Sequence, residues 1–191
     1  SDRAARRAPD VAPCHARIAS LRDAHRTARG TLAPRRASLL TLSLTMAAQA
    51  LAATGLGSRG ALIVFEGADR CGKSTQTRLL VDALAGRGAD AALQRFPDRQ
   101  TAIGAMIDKY LKCEAELDDR AVHLLFAANR WECSGALAAR VRAGGVVVCD
   151  RYAYSGVAFS GAKPGLSLAW CKRPDVGLPE PDAVIYLDLP A

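Results

Sequence analysis

A chain of 191 residues can bury one substantial core and is too short for two large domains. Its formal charge of +7 lies almost wholly at the front, where residues 1–45 hold nine Arg and three Asp, leaving +1 for the rest. A folded part this close to neutral argues against a nucleic-acid partner, because phosphate-backbone binders keep their positive charge on the folded surface.

Residues 1–58 read as a basic and then uncharged N-terminal extension outside the folded domain. They are rich in Arg and Ala up to 36, and "ASLLTLSLTMAAQALAATGLGS" (37–58) carries no charge. That stretch is long enough to cross a bilayer, but Ser38, Thr41, Ser43, Thr45, Gln49 and Thr54 dilute it, so no membrane association is expected. An Arg-rich, acid-poor leader also fits a transit peptide, and a non-native leader is the third reading.

From 59 onward the pattern is that of one domain. "ALIVFE" (61–66) is a short apolar run that fits a buried parallel strand. A glycine loop follows, and "STQTRLLVDALAGRG" reads as a helix stopped by Gly86 and Gly88. "ADAALQRF" is expected to be a second strand ended by Pro97, with a helix over 101–112 after it. "DDRAVHLLFAANRWE" (118–132) reads as a helix capped by Asp118 or Asp119. "SGALAARVRAGG" (134–145) is expected to be a separate, shorter helix. "VVVCD" (146–150) is the third strand and "AVIYLDL" (183–189) the last. Alternating strands and helices predict an α/β fold, a doubly wound parallel sheet covered on both faces. Such folds normally continue past a strand with a crossover helix, so the domain over 59–191 is expected to be incomplete at its C-terminus.

The six cysteines, at 14, 71, 113, 133, 149 and 171, form no C-x-x-C pair and no zinc spacing. Reduced thiols and an intracellular compartment follow, and Cys113, Cys133, Cys149 and Cys171 read as buried apolar filler.

The chemistry begins at Gly67-x-x-x-x-Gly72-Lys73-Ser74, a complete phosphate-loop pattern between an apolar strand and a helix. Glycines let backbone N–H groups point at phosphate oxygens, and the helix adds its positive end. Lys73 can reach the β- and γ-phosphates and Ser74 can offer a hydroxyl to Mg²⁺. The loop alone leaves a kinase, a GTPase and a helicase-type ATPase open. Ligands of open parallel sheets sit beyond the carboxyl ends of the strands. Those ends carry Asp69, Arg70, Arg99, Asp150 and Arg151 to one crevice, more cation than a single triphosphate calls for. Phe126 and Arg130, four residues apart on one helix, could stack on a nucleobase and bond its edge. The competing reading makes Phe126 ordinary core and Arg130 a surface charge. His123, on nearly the same face, reads as structural.

The stretches "ALIVFEGADRCGKSTQ", "RFPDR", "HLLFAANRWE", "VVVCDRYAYSGVAFSGAK" and "LSLAWCKRPDVGLPEPDAVIYLDL" resemble thymidylate kinase, especially the animal type, from about Gly60 to Leu189. The resemblance implies a phosphate-loop kinase that joins ATP, with Mg²⁺, to thymidine monophosphate. It places ATP on Gly67, Asp69, Arg70, Cys71, Gly72, Lys73, Ser74 and Thr75. The acceptor would lie on Asp69, Phe96, Arg99, Phe126, Arg130, Arg151, Gly156 and Phe159. Asp69 would face the acceptor's sugar 3′-hydroxyl, Arg99 and Arg151 its phosphate, Phe126 and Arg130 its base, and Phe96 and Phe159 the pocket walls. Catalysis would fall to Arg70, Lys73 and Asp150, and the metal to Ser74 and Asp150.

Such kinases commonly form homodimers, and a cytoplasmic site with a nuclear or mitochondrial pool would follow. Cys71 departs from the family as a thiol in the loop, and Asp98 stands where a glutamate is common. The lid segment and closing elements of the family do not follow Leu189. Two further readings remain: a deoxynucleoside kinase of similar fold, which needs no arginines for an acceptor phosphate, and a nucleotide-binding protein without transfer. A GTPase is disfavoured by the lack of an N-K-x-D sequence.

Overall fold

The computed structural model describes residues 59–188, so the readings made for residues 1–58 and for the final three residues fall outside it. Four strands run in parallel: β1 (Leu62–Gly67), β2 (Ala91–Arg95), β3 (Val146–Asp150) and β4 (Ala183–Leu187). Their order across the sheet is β2-β3-β1-β4. The two central strands are buried at every position, which is why they read as unbroken apolar runs.

Strand alternation divides the core in two. Leu62 pairs with Val147 and Ile63 with Val148, so successive pairs point to opposite faces. Ile63, Phe65, Val146 and Val148 pack with Leu80 and Leu84 of helix α1 (Lys73–Ala85). Leu62, Val64, Val147 and Cys149 pack with Leu137 and Val141 of helix α3 (Asp119–Arg142). Helix α2 (Ala102–Leu111) lies against α3. Helices α4 (Ala153–Gly161) and α5 (Leu168–Lys172) follow β3, and a 3₁₀ turn spans Arg173–Asp175. β4 is covered on one face only, with Val184 and Tyr186 45% and 59% exposed on the other. The predicted class and the four strands stand, and the expected two-sided cover holds for β1 and β3 but not for the edge strand β4.

One helix boundary does not. α3 is a single helix of 24 residues, not two. Ser134 and Gly135, read as a break, lie inside it: the Ser134 hydroxyl donates to the Trp131 carbonyl at 2.7 Å. That local bond satisfies the serine without opening the turn. Asp118 is the cap, accepting from the N–H groups of Arg120 and Ala121. Among the cysteines, Cys149 and Cys171 are fully buried, whereas Cys113 and Cys133 are only partly so. The filler reading holds for the first pair alone.

Candidate active site

The glycine loop joins β1 to α1. Gly67 and Gly72 have φ of 144° and 90°, values that side chains rarely adopt. Gly72 begins α1 without any side-chain cap. Side chains cap α2, α3 and α5 (Thr101, Asp118 and Ser167), and Glu66 reaches the first turn of α4. The N–H groups and positive end of α1 are thus left for an anion. Lys73 is buried and donates to the carbonyls of Gly67 at 3.1 Å and Ala68 at 2.6 Å, holding the loop in a ring. Cys71 is buried too, its sulfur 3.6 Å from the Lys73 amine, so its side chain backs the loop and does not line the cleft. Asp69 and Arg70 project from the loop, exposed.

The far ends of β1, β2 and β3 complete the site. Ser74 Oγ donates to Asp150 Oδ2 at 2.6 Å. The β2–β3 register sets Arg95 opposite Asp150, and its Nε and Nη2 reach the same oxygen at 3.2 and 3.1 Å. Arg95 Nη2 also donates to Ser74 Oγ. Sequence reasoning missed Arg95; only strand pairing brings it to Asp150.

Arg151, with φ 71°, and Arg70, with φ 64°, are two of the three non-glycine residues with positive φ among those described. Both lie in the cleft wall, where such strain is commonly kept. Glu66, also missed, explains how the Arg151 bend is held. Its buried carboxylate accepts from the N–H groups of Tyr152 at 2.9 Å and Ser155 at 3.1 Å, and from the Ser155 hydroxyl at 2.5 Å. A carboxylate at the first turn of α4 is favoured by the helix dipole. Arg151 then meets Asp69 Oδ1 at 2.5 Å and Ser155 Oγ at 2.8 Å, with its guanidinium 5.4 Å from the centre of the Phe159 ring.

Arg130 is no surface charge. It is 2% exposed and forms a two-pronged pair with Asp175, 6% exposed, both contacts being 2.8 Å. Gly156 lies against the guanidinium: a Cβ there would come within 2.9 Å of Nη2 and 3.0 Å of Nη1. Phe126 and Phe96 line the same cleft, and the Phe96 and Tyr152 ring centres are 5.6 Å apart. Asn129 holds the "RFPDR" loop from α3. Its Oδ1 accepts from Asp98 N at 2.7 Å, and its Nδ2 donates to Asp98 O at 3.0 Å. At the rim, Arg99 pairs with Asp108 at 2.9 Å. Lys112, bonded to Asp108, holds that carboxyl below its usual range, with Arg99 adding to the effect. His123 is structural as expected, bonded to Ser160 Oγ and the Cys171 carbonyl. Burial pushes its pKa down.

The whole makes one cleft of about 1280 Å³, larger than the roughly 300–1,000 Å³ usual for one small ligand. Of the residues expected in it, Gly67 and Cys71 stand behind the loop; the rest, Thr75 included, border the cleft. Ser74 Oγ and Asp150 Oδ2 are two hard oxygens beside the loop, the donor type that magnesium takes together with phosphate and water, and Arg95 bonds both of them here.

A glycine loop on the first strand of a β2-β3-β1-β4 parallel sheet, facing arginines from two further strand ends, defines a phosphate-loop nucleoside monophosphate kinase fold. The thymidylate kinase family model matches residues 65–191. The chain belongs to that family. It is 56% identical over 131 residues to human thymidylate kinase, covering 69% of this chain and 62% of the relative. The Arabidopsis thaliana thymidylate kinase is 53% identical over 131 residues, covering 69% of this chain and 49% of the relative. Among solved structures, the thymidylate kinase of Candida albicans superposes with a TM-score of 0.60 at 39% identity, over 68% of this chain and 63% of that one. The chain thus spans less than two thirds of the length of these relatives.

Proposed function

We propose that the protein transfers the γ-phosphoryl group of ATP to the phosphate of thymidine monophosphate. A P–O bond forms from an acceptor phosphate oxygen, the β–γ bridging bond breaks, and ADP and thymidine diphosphate leave. The observation that carries the reading is the single cleft. The phosphate loop without a side-chain cap, Arg130 with Phe126, and Arg70, Arg99 and Arg151 all line it.

Both substrates are anionic, so their approach must overcome like-charge repulsion, and cations aimed at the developing charge lower the barrier most. In this reading the α1 N-terminus and Lys73 take the β- and γ-phosphates, the lysine exchanging its loop carbonyls for phosphate oxygens. Arg70 attends the transferring group. Arg99 and Arg151 take the acceptor phosphate, giving up Asp108 and Asp69. Asp69 then serves the sugar 3′-hydroxyl. Phe126 stacks on the base, Arg130 bonds its edge, and Phe96 and Phe159 form the walls, with Gly156 behind Arg130. Mg²⁺ at Ser74 and Asp150 would neutralise charge on the β- and γ-phosphates. A homodimer is part of the proposal on family membership alone.

An ADP-release assay of the full-length protein with thymidine monophosphate against thymidine tests it. Turnover with the nucleoside and none with the monophosphate would refute it in favour of a deoxynucleoside kinase. Arg70→Ala should keep ATP binding and lower kcat by two or more decades, arginines in such places being worth about 10³–10⁵ in rate. An unchanged kcat removes Arg70 from the transfer step.

A further inference from the structure

We infer that Arg95 is the resident counter-cation of the Ser74–Asp150 oxygen pair, and that a divalent cation binds there only by displacing it. The inference rests on the reading of Ser74 and Asp150 as the metal pair. Asp150 is 6% exposed, and a carboxylate so far from water requires a positive partner. Lys73 of the glycine loop is committed to the carbonyls of Gly67 and Ala68. Arg95 supplies the charge: Nε and Nη2 both reach Asp150 Oδ2, and Nη2 bonds Ser74 Oγ as well. One guanidinium therefore engages both oxygens on which a cation would sit.

Guanidinium and metal cannot share them. A magnesium ion demands near-octahedral ligands at about 2.0–2.1 Å, and the lone pairs it would use already accept from Arg95. Two positive charges at that separation also repel. The strand register makes the arrangement specific, because Arg95 and Asp150 are direct partners on neighbouring parallel strands. Release is easy for the arginine, whose side chain is 59% exposed to the cleft. A purely structural ion pair joining the ends of β2 and β3 would look the same at rest, but it would not govern metal affinity.

The test is direct Mn²⁺ binding to the nucleotide-free, full-length protein, followed by electron paramagnetic resonance. Wild type, Arg95→Gln, Arg95→Lys and Asp150→Asn are compared. Removing an exposed but charge-assisted competitor should tighten Mn²⁺ binding about three- to tenfold in Arg95→Gln. Arg95→Lys, which keeps the charge but loses the fork, should fall between it and wild type. Equal Mn²⁺ affinity in wild type and Arg95→Gln, with Asp150→Asn weakened, overturns the role of Arg95 alone. An Asp150→Asn variant that binds Mn²⁺ like wild type overturns the metal reading and the inference together.

Discussion

Asp175→Leu offers a stringent check on how Arg130 is held. The pair is 2% and 6% exposed, with two charge-assisted contacts of 2.8 Å each. Removing the carboxylate leaves a guanidinium almost without water and without its partner. Breaking a buried pair in this way costs about 3–5 kcal/mol, against a total stability of about 5–15 kcal/mol for a domain. For a folded part of about 130 residues, 1 kcal/mol moves Tm by roughly 4 °C, so a fall of about 12–20 °C is expected. Urea unfolding should show the same loss as a lower midpoint at an unchanged slope. The double variant Arg130→Met with Asp175→Leu removes both charges and fills the space with apolar atoms. It should regain most of the loss and lie within about 1 kcal/mol of wild type. A double variant no more stable than the sum of the two single losses would refute the reasoning, since the charges would then be uncoupled.

Gly156→Ala should crowd a guanidinium that Asp175 prevents from moving, destabilising by about 1–3 kcal/mol in chemical denaturation; under the proposed function it should also raise KM for the monophosphate more than it lowers kcat. Arg99→Ala, at an exposed rim pair, should leave Tm within about 1 °C of wild type and act through KM for the monophosphate; a lower kcat at unchanged KM would contradict an acceptor-binding role. His123 titrates below its ordinary value because burial disfavours the charged ring. The unfolded chain therefore binds a proton that the folded one refuses. The stabilising contribution is complete above about pH 6.5 and is lost as pH falls toward the folded pKa. Comparing the pH dependence of the urea midpoint in wild type and His123→Gln between pH 7.5 and 5 isolates it, and identical slopes would show that the ring carries no such coupling.

Glu66 shows where linear reading stops. In sequence it ends an apolar strand and has no visible partner; in the fold it holds the N–H groups of Tyr152 and Ser155, nearly ninety positions away. Arg95 and Asp175 are the same kind of case, gaining meaning only from partners 55 and 45 positions distant. The Ser134–Gly135 boundary was misread for a related reason. A serine and a glycine are weak helix formers, and only the packing of Leu137 and Val141 on the sheet carries the helix through them.

What the sequence by itself determined was local. The apolar runs of β1 and β3, the glycine spacing with Lys73 and Ser74, and a helix cap at Asp118 or Asp119 each depend on neighbours a few positions apart, and backbone geometry makes such spacing sufficient. Tertiary structure alone decided which charges meet. Strand register sets Arg95 on Asp150, the glycine loop and the end of β3 bring Asp69 to Arg151, and the 3₁₀ turn packed on α3 brings Asp175 to Arg130, because electrostatic pairing depends on distance through space and not along the chain.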